Sequence, residues 1–385
     1  QPLAGPECTQ RQERKRGAAP HPLLNVMSAE LSNKRIAYFA FAAGSLMLGS
    51  YNTQARMLTD PVTLRMPVPI PLAILLMETM KLIISVNRLV VERAEKDSKS
   101  PLEFLKETIS GISLREALPY AVPGLLYFFN NNLEVFMMRA MDPATARLLM
   151  NGKIITTAVI FRLVMGVTIE TEQTLCLGAL LCACILAAKP PQADAELTLA
   201  FITTLGIAYA SLHCVISGMA SVANEWLMKK GYGADTSIHL QNALLYCWGI
   251  LFNITVVVPL ILTSPEPVFN FSSLPQLANW LLFVANGCFH GLAISFVIKH
   301  LTSLHKLFMS SIAVYISGLL NLLLLGAQKL SAVWFASASI AVLATIGYNY
   351  PERVRRLYFW RAEKEKTGTD PEGAEGAEEP PRVQT

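Results

Sequence analysis

Tyr127–Lys153 reads YFFNNNLEVFMMRAMDPATARLLMNGK and sets polar and ionisable side chains in the middle of a chain otherwise suited to lipid. Asn130, Asn131 and Asn132 fall about ten residues from either end of an apolar segment, so at ~1.5 Å per residue they lie near a bilayer midplane. Lys153 stands eleven residues into the following helix, beyond Asp142-Pro143. Its ammonium is then roughly 16 Å from the interface by helix rise, whereas a lysine stem reaches only about 6 Å. The charge therefore needs a partner or a wet cavity. A lysine at that depth costs about 3 kcal/mol on insertion scales, and such charges mark solute pathways in membrane proteins.

The bulk composition agrees with lipid as the solvent. At 385 residues, 52% hydrophobic and 16% charged with mean hydropathy +0.40, the chain is too apolar for a soluble enzyme and fits an all-α polytopic membrane protein. The net charge of +4 decides nothing. Cys8, Cys176, Cys182, Cys184, Cys214, Cys247 and Cys288 mostly sit in apolar runs, without zinc-site or secreted-disulfide spacing, and read as small buried hydrophobes. Residues 1–26 are basic, Pro-rich and without the apolar core of a signal peptide. Met27 opens MSAELSNKR and offers an alternative start, with the first membrane helix as the insertion signal.

Apolar runs near twenty residues give ten expected spans, about 36–56, 68–91, 117–138, 143–164, 172–188, 198–224, 238–263, 277–298, 303–325 and 331–349. The fifth is short, and Gly and Ser dilute the first. Lys and Arg concentrate after span two (Arg93, Lys96, Lys99, Lys106), after span six (Lys229, Lys230) and after span ten (Arg353, Arg355, Arg356, Arg361, Lys364, Lys366). These fall on one side, the cytosolic one, if both termini are cytosolic. The opposite loop at 264–276 holds no Lys or Arg and carries a glycosylation sequon, Asn270-Phe271-Ser272.

The expected organisation is a cytosolic segment 1–35, a five-helix repeat 36–188, a polar joint 189–197, a second five-helix repeat 198–350 and a disordered cytosolic tail 351–385. An odd number of spans per half inverts the second half against the first, which is the arrangement of many transporters with a site at the midplane.

Several further polar residues lie within the spans. Glu78 and Lys81, three apart in METMKLI, share a helix face, as a gate or as a structural ion pair. Asn242 and Tyr246 lie one turn apart in span seven beside Gln241, where Asn also serves as interhelical glue. Asn286, His290 and Ser295 share span eight with Gly287 and Gly291. Lys306 lies near the cytosolic start of span nine, where it could snorkel, yet it occupies the second half's counterpart of the span that carries Lys153. Two such cations at a repeat interface suit a phosphate-bearing anion. Tyr127, Asn131, Asn132, Asn242 and Tyr246 could stack on and hydrogen-bond a base. Nucleophile-elbow, metalloprotease, Walker A and metal-ligand patterns are all missing, so the expectation is a carrier without metal or cofactor, not an enzyme and not a nucleic-acid binder.

These residues carry a resemblance to the nucleotide-sugar transporter family of the drug/metabolite transporter superfamily, in particular its UDP-sugar transporter-like members. It spans roughly Ile36 to Tyr350 and is most specific in LLYFFNNNLEVFMMRAMDPATARLLMNGKIITTAVIFR (125–162), ISGMASVANEWLMKK (216–230), LQNALLYCWGILFN (240–253) and GLAISFVIKHLTSLHKLF (291–308). The resemblance implies ten helices in a Golgi membrane and exchange of a cytosolic nucleotide sugar, a UDP-sugar, for a luminal nucleoside monophosphate, UMP. It implies nucleotide contacts at Tyr127, Asn131, Asn132, Asn242 and Tyr246, a small polar contact at Ser295, and phosphate-facing lysines at Lys153 and Lys306. ETMKL in span two is similar to the family's acidic-x-x-lysine signature. Two positions depart from it: Ala146-Arg147 stands where relatives read Tyr-Gln, and Trp248 stands where some relatives carry a small residue. These leave open a CMP-sialic-acid-like carrier, or a non-transporting scaffold that assembles as a homo- or hetero-oligomer with other Golgi carriers.

Overall fold

The structure, a computed structural model, describes residues 22–60, 65–94, 101–140, 143–187, 204–231, 236–264, 267–326 and 330–356. The linker 189–197, Asp142 and the tail beyond Arg356 lie outside the described residues, as does most of the N-terminal segment.

Among the described residues every regular element is helical and none is a strand. In chain order these are α1 (Pro22–Leu58), α2 (Ile70–Ala94), α3 (Pro101–Gly111), α4 (Leu114–Ala117), a 3-10 turn (Leu118–Tyr120), α5 (Ala121–Ala140), α6 (Pro143–Met150) and α7 (Lys153–Met165). They continue with α8 (Thr171–Ala187), α9 (Thr204–Lys229), α10 (Ile238–Thr263), α11 (Leu274–His300), α12 (Ser303–Leu325) and α13 (Ala332–Asn349). Backbone groups have no water to turn to in lipid, so helices that satisfy their own hydrogen bonds are what an apolar chain of this length must form.

Among the described residues, seven segments are long and apolar enough to cross a membrane: α2, the stretch across the α6–α7 turn, and α9 to α13. The apolar helix α8 is shorter. In α1 and α5 the Gly, Ser and Asn content lowers the apolar signal, most of all through Asn130–Asn132.

Helix ends are specified locally. Ser113 and Glu116 form a reciprocal capping box ahead of α4. Ser237, Ser273, Thr302 and Ser331 cap α10 to α13 by accepting from a backbone N–H of the first turn. Gly166 and Gly326 end α7 and α12 at φ +67° and +60°, a left-handed conformation that glycine enters without steric cost.

The densest helix pairings are α1 with α11 and α12, α2 with α10, α5 with α9, α7 with α9, and α8 with α13, followed by α5 with α10 and α2 with α11. The two largest apolar clusters follow these pairings. One joins α7, α8, α12 and α13 around Phe161, Leu180, Phe308 and Tyr348. The other joins α1, α2, α10 and α11 around Leu72, Met77, Val257 and Phe283. A smaller cluster around Tyr120, Leu227, Leu245 and Tyr246 takes in Tyr127 and Trp248.

Candidate functional site

Lys306 enters from the first turn of α12 and donates to Ser221 Oγ on α9 at 2.8 Å. Its ammonium also stands 5.1 Å from the Tyr127 ring centroid on α5, a cation–π contact. It therefore turns inward, although its sequence position would let it snorkel. The Tyr127 hydroxyl lies beside Ser221 and Asn224 but meets hydrogen-bond geometry with neither.

Lys153 opens α7. The expected unbroken fourth span is divided at Asn151-Gly152, where Asn151 N–H donates to Leu148 O and Gly152 N–H to Leu149 O in tight turns. An apolar run does not announce such a break, because hydropathy is blind to backbone turns. Gly152 keeps right-handed helical angles (φ −55°, ψ −21°) and Thr156 N–H bonds back to Gly152 O, so the turn tightens the span without ending it. Lys153 lies within electrostatic reach of Lys306, and of Glu134 on α5. Glu225 is committed elsewhere: Lys229 Nζ donates to its Oε1 at 2.7 Å and Ser303 N–H to its Oε2 at 2.6 Å.

A second group sits between α2, α10 and α11. Lys81 and Glu78 pair at 2.5 Å, and the Lys81 ammonium lies 4.6 Å from the Tyr246 ring centroid. The Tyr246 hydroxyl meets Ser295 Oγ at 3.2 Å, which links two expected contacts on different helices. Asn242, one turn before Tyr246, is fully buried, and neither Oδ1 nor Nδ2 has a partner. An unmet buried polar group costs about 1–3 kcal/mol, so an amide left open on both sides is held for something that arrives later or for water.

Asn132 Nδ2 donates back to Phe128 O of its own helix at 2.8 Å, and Asn130 Oδ1 is buried without a partner. Asn131 is half-buried on the same helix. His290 bonds Gly44 O through Nδ1 at 3.0 Å. Since a carbonyl only accepts, Nδ1 carries the hydrogen there. Asn286 donates to Gln54 Oε1 at 2.9 Å and so ties α11 to α1.

Trp248 packs against the apolar cluster that holds Tyr246 and Tyr127. Its indole N–H donates to Ala117 O at 2.9 Å and its ring stacks on Phe252 at a centroid distance of 5.9 Å, packing α10 against the entry to α5. Ala146 is buried with Met137 and Ala210, which makes it a packing position. Sequence reasoning missed Ser221, Asn224 and His213 on α9. Small polar residues in an apolar helix give no signal until the fold sets them beside a charge.

The family model for nucleotide-sugar transporters matches residues 65–349. The chain belongs to the nucleotide-sugar transporter family. It is 34% identical over 248 residues to "Probable UDP-sugar transporter protein SLC35A4" of Mus musculus, covering 61% of this chain and 73% of the relative. The Homo sapiens protein of that name is 33% identical over 248 residues, 61% of this chain and 74% of the relative. "CMP-sialic acid transporter 4" of Oryza sativa subsp. indica is 28% identical over 254 residues, 65% of this chain and 61% of that protein. A solved protein crystal structure superposes at TM-score 0.57 and 15% identity over 83% of this chain and 99% of its own, which speaks for the fold alone.

Proposed function

We propose that this family member is a Golgi antiporter that admits a cytosolic UDP-sugar and returns luminal UMP by alternating access of two inverted five-helix halves. The observation that carries it is the meeting of Lys153 and Lys306. They come from different halves of the chain, lie within electrostatic reach of one another, and have no ion-pair partner among the described residues. Two half-buried cations within electrostatic reach of each other repel, and a phosphate or diphosphate turns that repulsion into charge-assisted hydrogen bonds. Tyr127, Asn131 and Asn132 from α5 and the open amide of Asn242 beside Tyr246 supply aromatic faces and donor–acceptor groups for a base and ribose. Ser295 holds Tyr246, while Glu78 neutralises Lys81 at the edge of the site.

The helix pairing supports the inversion. With α1, α2, α5, α6–α7 and α8 read as spans one to five and α9 to α13 as six to ten, span one packs on eight and nine while span six packs on three and four. Span two meets seven and span five meets ten, so exchanging the halves maps the neighbours onto themselves. The left-handed glycines Gly166 and Gly326 close spans four and nine alike.

The test is uptake of radiolabelled UDP-sugars into proteoliposomes preloaded with UMP. Uptake stimulated by internal UMP is expected. Stimulation by CMP with uptake of CMP-sialic acid instead would reassign the base to that named for the Oryza relative. No exchange of any nucleotide sugar would leave the scaffold reading.

A further inference from the structure

Tyr127, Asn130 and Glu134, spaced three and four residues apart, share one face of α5. Val122, Leu125 and Phe129, exposed by 55%, 37% and 46%, lie on the opposite side, where lipid is expected. Met137, three residues beyond Glu134, is fully buried. The half-buried Glu134 is therefore open to the interior and not to lipid. Its carboxylate makes no hydrogen bond or ion pair with a described residue. Asn130 Oδ1 and the Tyr127 hydroxyl are buried and likewise have no partner. Tyr127 ties this face to the site, because its ring takes the Lys306 ammonium at 5.1 Å. By helix rise Asn130 stands ~4.5 Å and Glu134 ~10.5 Å beyond Tyr127 along the axis.

The chemistry narrows what this face awaits. The amide Oδ1 and both oxygens of a carboxylate accept hydrogen bonds. A carboxylate within a membrane span is costly and marks a solute path more than a packing position. What answers it must bring donors, and a second anion is repelled. A calcium or magnesium ion takes six or more oxygen ligands, and no group of three or more His, Cys, Asp or Glu is placed to hold a metal among the described residues. Hydroxyl groups on neighbouring carbons offer two donors to one carboxylate.

We propose that Asn130 and Glu134 are a further ligand contact, an acceptor pair for a vicinal diol carried by the ligand's ribose or by its attached sugar. This rests on the nucleotide-sugar reading above and adds to it a subsite that reads hydroxyl groups one to two helix turns from the Tyr127–Lys306 contact. A site with a positioned hydrogen-bonding group discriminates against ligands that lack its counterpart.

The experiment compares purified wild type, Glu134→Leu, Glu134→Gln and Asn130→Leu for affinity toward UMP, 2′-deoxy-UMP and UDP-galactose, with the melting temperature of each unliganded protein. Leucine suits the depth of a membrane span, so Glu134→Leu is expected to fold with an equal or higher melting temperature. It is expected to bind UDP-galactose about tenfold or more weakly. A matching loss for UMP that is smaller for 2′-deoxy-UMP assigns the diol to the ribose, whereas a loss confined to UDP-galactose assigns it to the sugar. Asn130→Leu is expected to weaken the same ligands by less, since it removes an uncharged acceptor. Glu134→Gln, which keeps one acceptor, is expected to fall between wild type and Glu134→Leu. Unchanged or tighter affinities in Glu134→Leu would overturn the proposal, and a lower melting temperature alongside them would leave Glu134 as a structural counter-ion. Losses of one size for UMP, 2′-deoxy-UMP and UDP-galactose would overturn it too, since they report distortion of the whole site. Should Glu134→Leu fail to purify folded, Glu134→Ala takes its place under the same criteria. A wild type that binds none of these nucleotides would overturn the transporter reading as well, an outcome distinct from a variant that matches a binding wild type.

Discussion

Lys153 and Lys306 carry charge that the protein itself leaves largely unanswered, and that imbalance has measurable consequences. Hydrogen bonds to a charged, desolvated phosphate contribute on the order of 1.5–3 kcal/mol, so Lys153→Gln or Lys306→Gln should each weaken nucleotide affinity about 10- to 150-fold. Lysine recognises phosphate as a point charge more than by planar fork geometry, so Lys→Arg should keep part of the binding. Two lysines on one phosphate share a partner, and the double variant should fall short of the summed losses. If Lys153 instead served only to balance Glu134, Lys153→Gln would lower the melting temperature and leave affinity intact. Isothermal titration and thermal melts on the same preparations separate the two outcomes. Asn242 allows the converse experiment. Asn242→Leu removes two buried, unpartnered atoms and should raise stability by roughly 1–3 kcal/mol while lowering nucleotide affinity, an exchange of function for stability read from the same two measurements.

Element by element, the chain shows how far a sequence reaches. Expected spans such as 238–263 and 303–325 coincide with α10 and α12 as built, because a long apolar run in lipid has no other way to satisfy its backbone. The break at Asn151-Gly152 was not legible, because it is made by turn geometry within a run of uniform hydropathy. Nor was Glu225 as a joint: it ties α9 to the start of α12 through Ser303 N–H, while Lys229 also donates to Leu301 O. Glu225→Leu should therefore cost stability at the lower end of the ~3–5 kcal/mol seen when a buried pair loses one member, since Lys229 remains a quarter exposed. Chemical or thermal unfolding of the purified protein checks this. At the break, a Cβ on residue 152 would come within 3.1 Å of Leu149 O and 3.3 Å of Cys214 Sγ. Gly152→Leu should force α6, α7 and α9 apart and reduce nucleotide affinity without any change at Lys153 itself.

At the scale of the whole molecule, polar pairs between the halves lie toward both ends of the helices, and alternating access requires the two ends to separate in turn. At the end carrying Lys230, its ammonium donates to Met165 O at 2.8 Å, and Ser237 donates to Glu92 at 2.5 Å. Toward the other end, Asn286 meets Gln54 at 2.9 Å, Thr53 meets Ser317 at 3.3 Å, and Tyr51 stacks on Phe283 at 4.4 Å. Lys153 and Lys306 are far apart in the chain and come within electrostatic reach only in the fold, which is why no local sequence motif reveals them together. Linking Gln54→Cys to Asn286→Cys with a short bifunctional thiol reagent should hold that end shut. The linked protein should retain nucleotide binding when the opposite end is accessible, yet lose exchange, and cleavage of a reducible linker should restore it. All seven native cysteines would first be replaced so that the reagent finds only the introduced pair. Exchange that survives complete linkage would refute rocking of the halves about the lysine site. Exchange lost together with binding would point instead to distortion of the site by the linker, and a longer linker that spares binding would then restore the comparison. Topology can be read on the same molecule: in sealed, right-side-out Golgi vesicles, tags facing the lumen would be cleaved by protease only after permeabilisation, so cleavage of both terminal tags before permeabilisation is the outcome that the inverted five-plus-five arrangement requires.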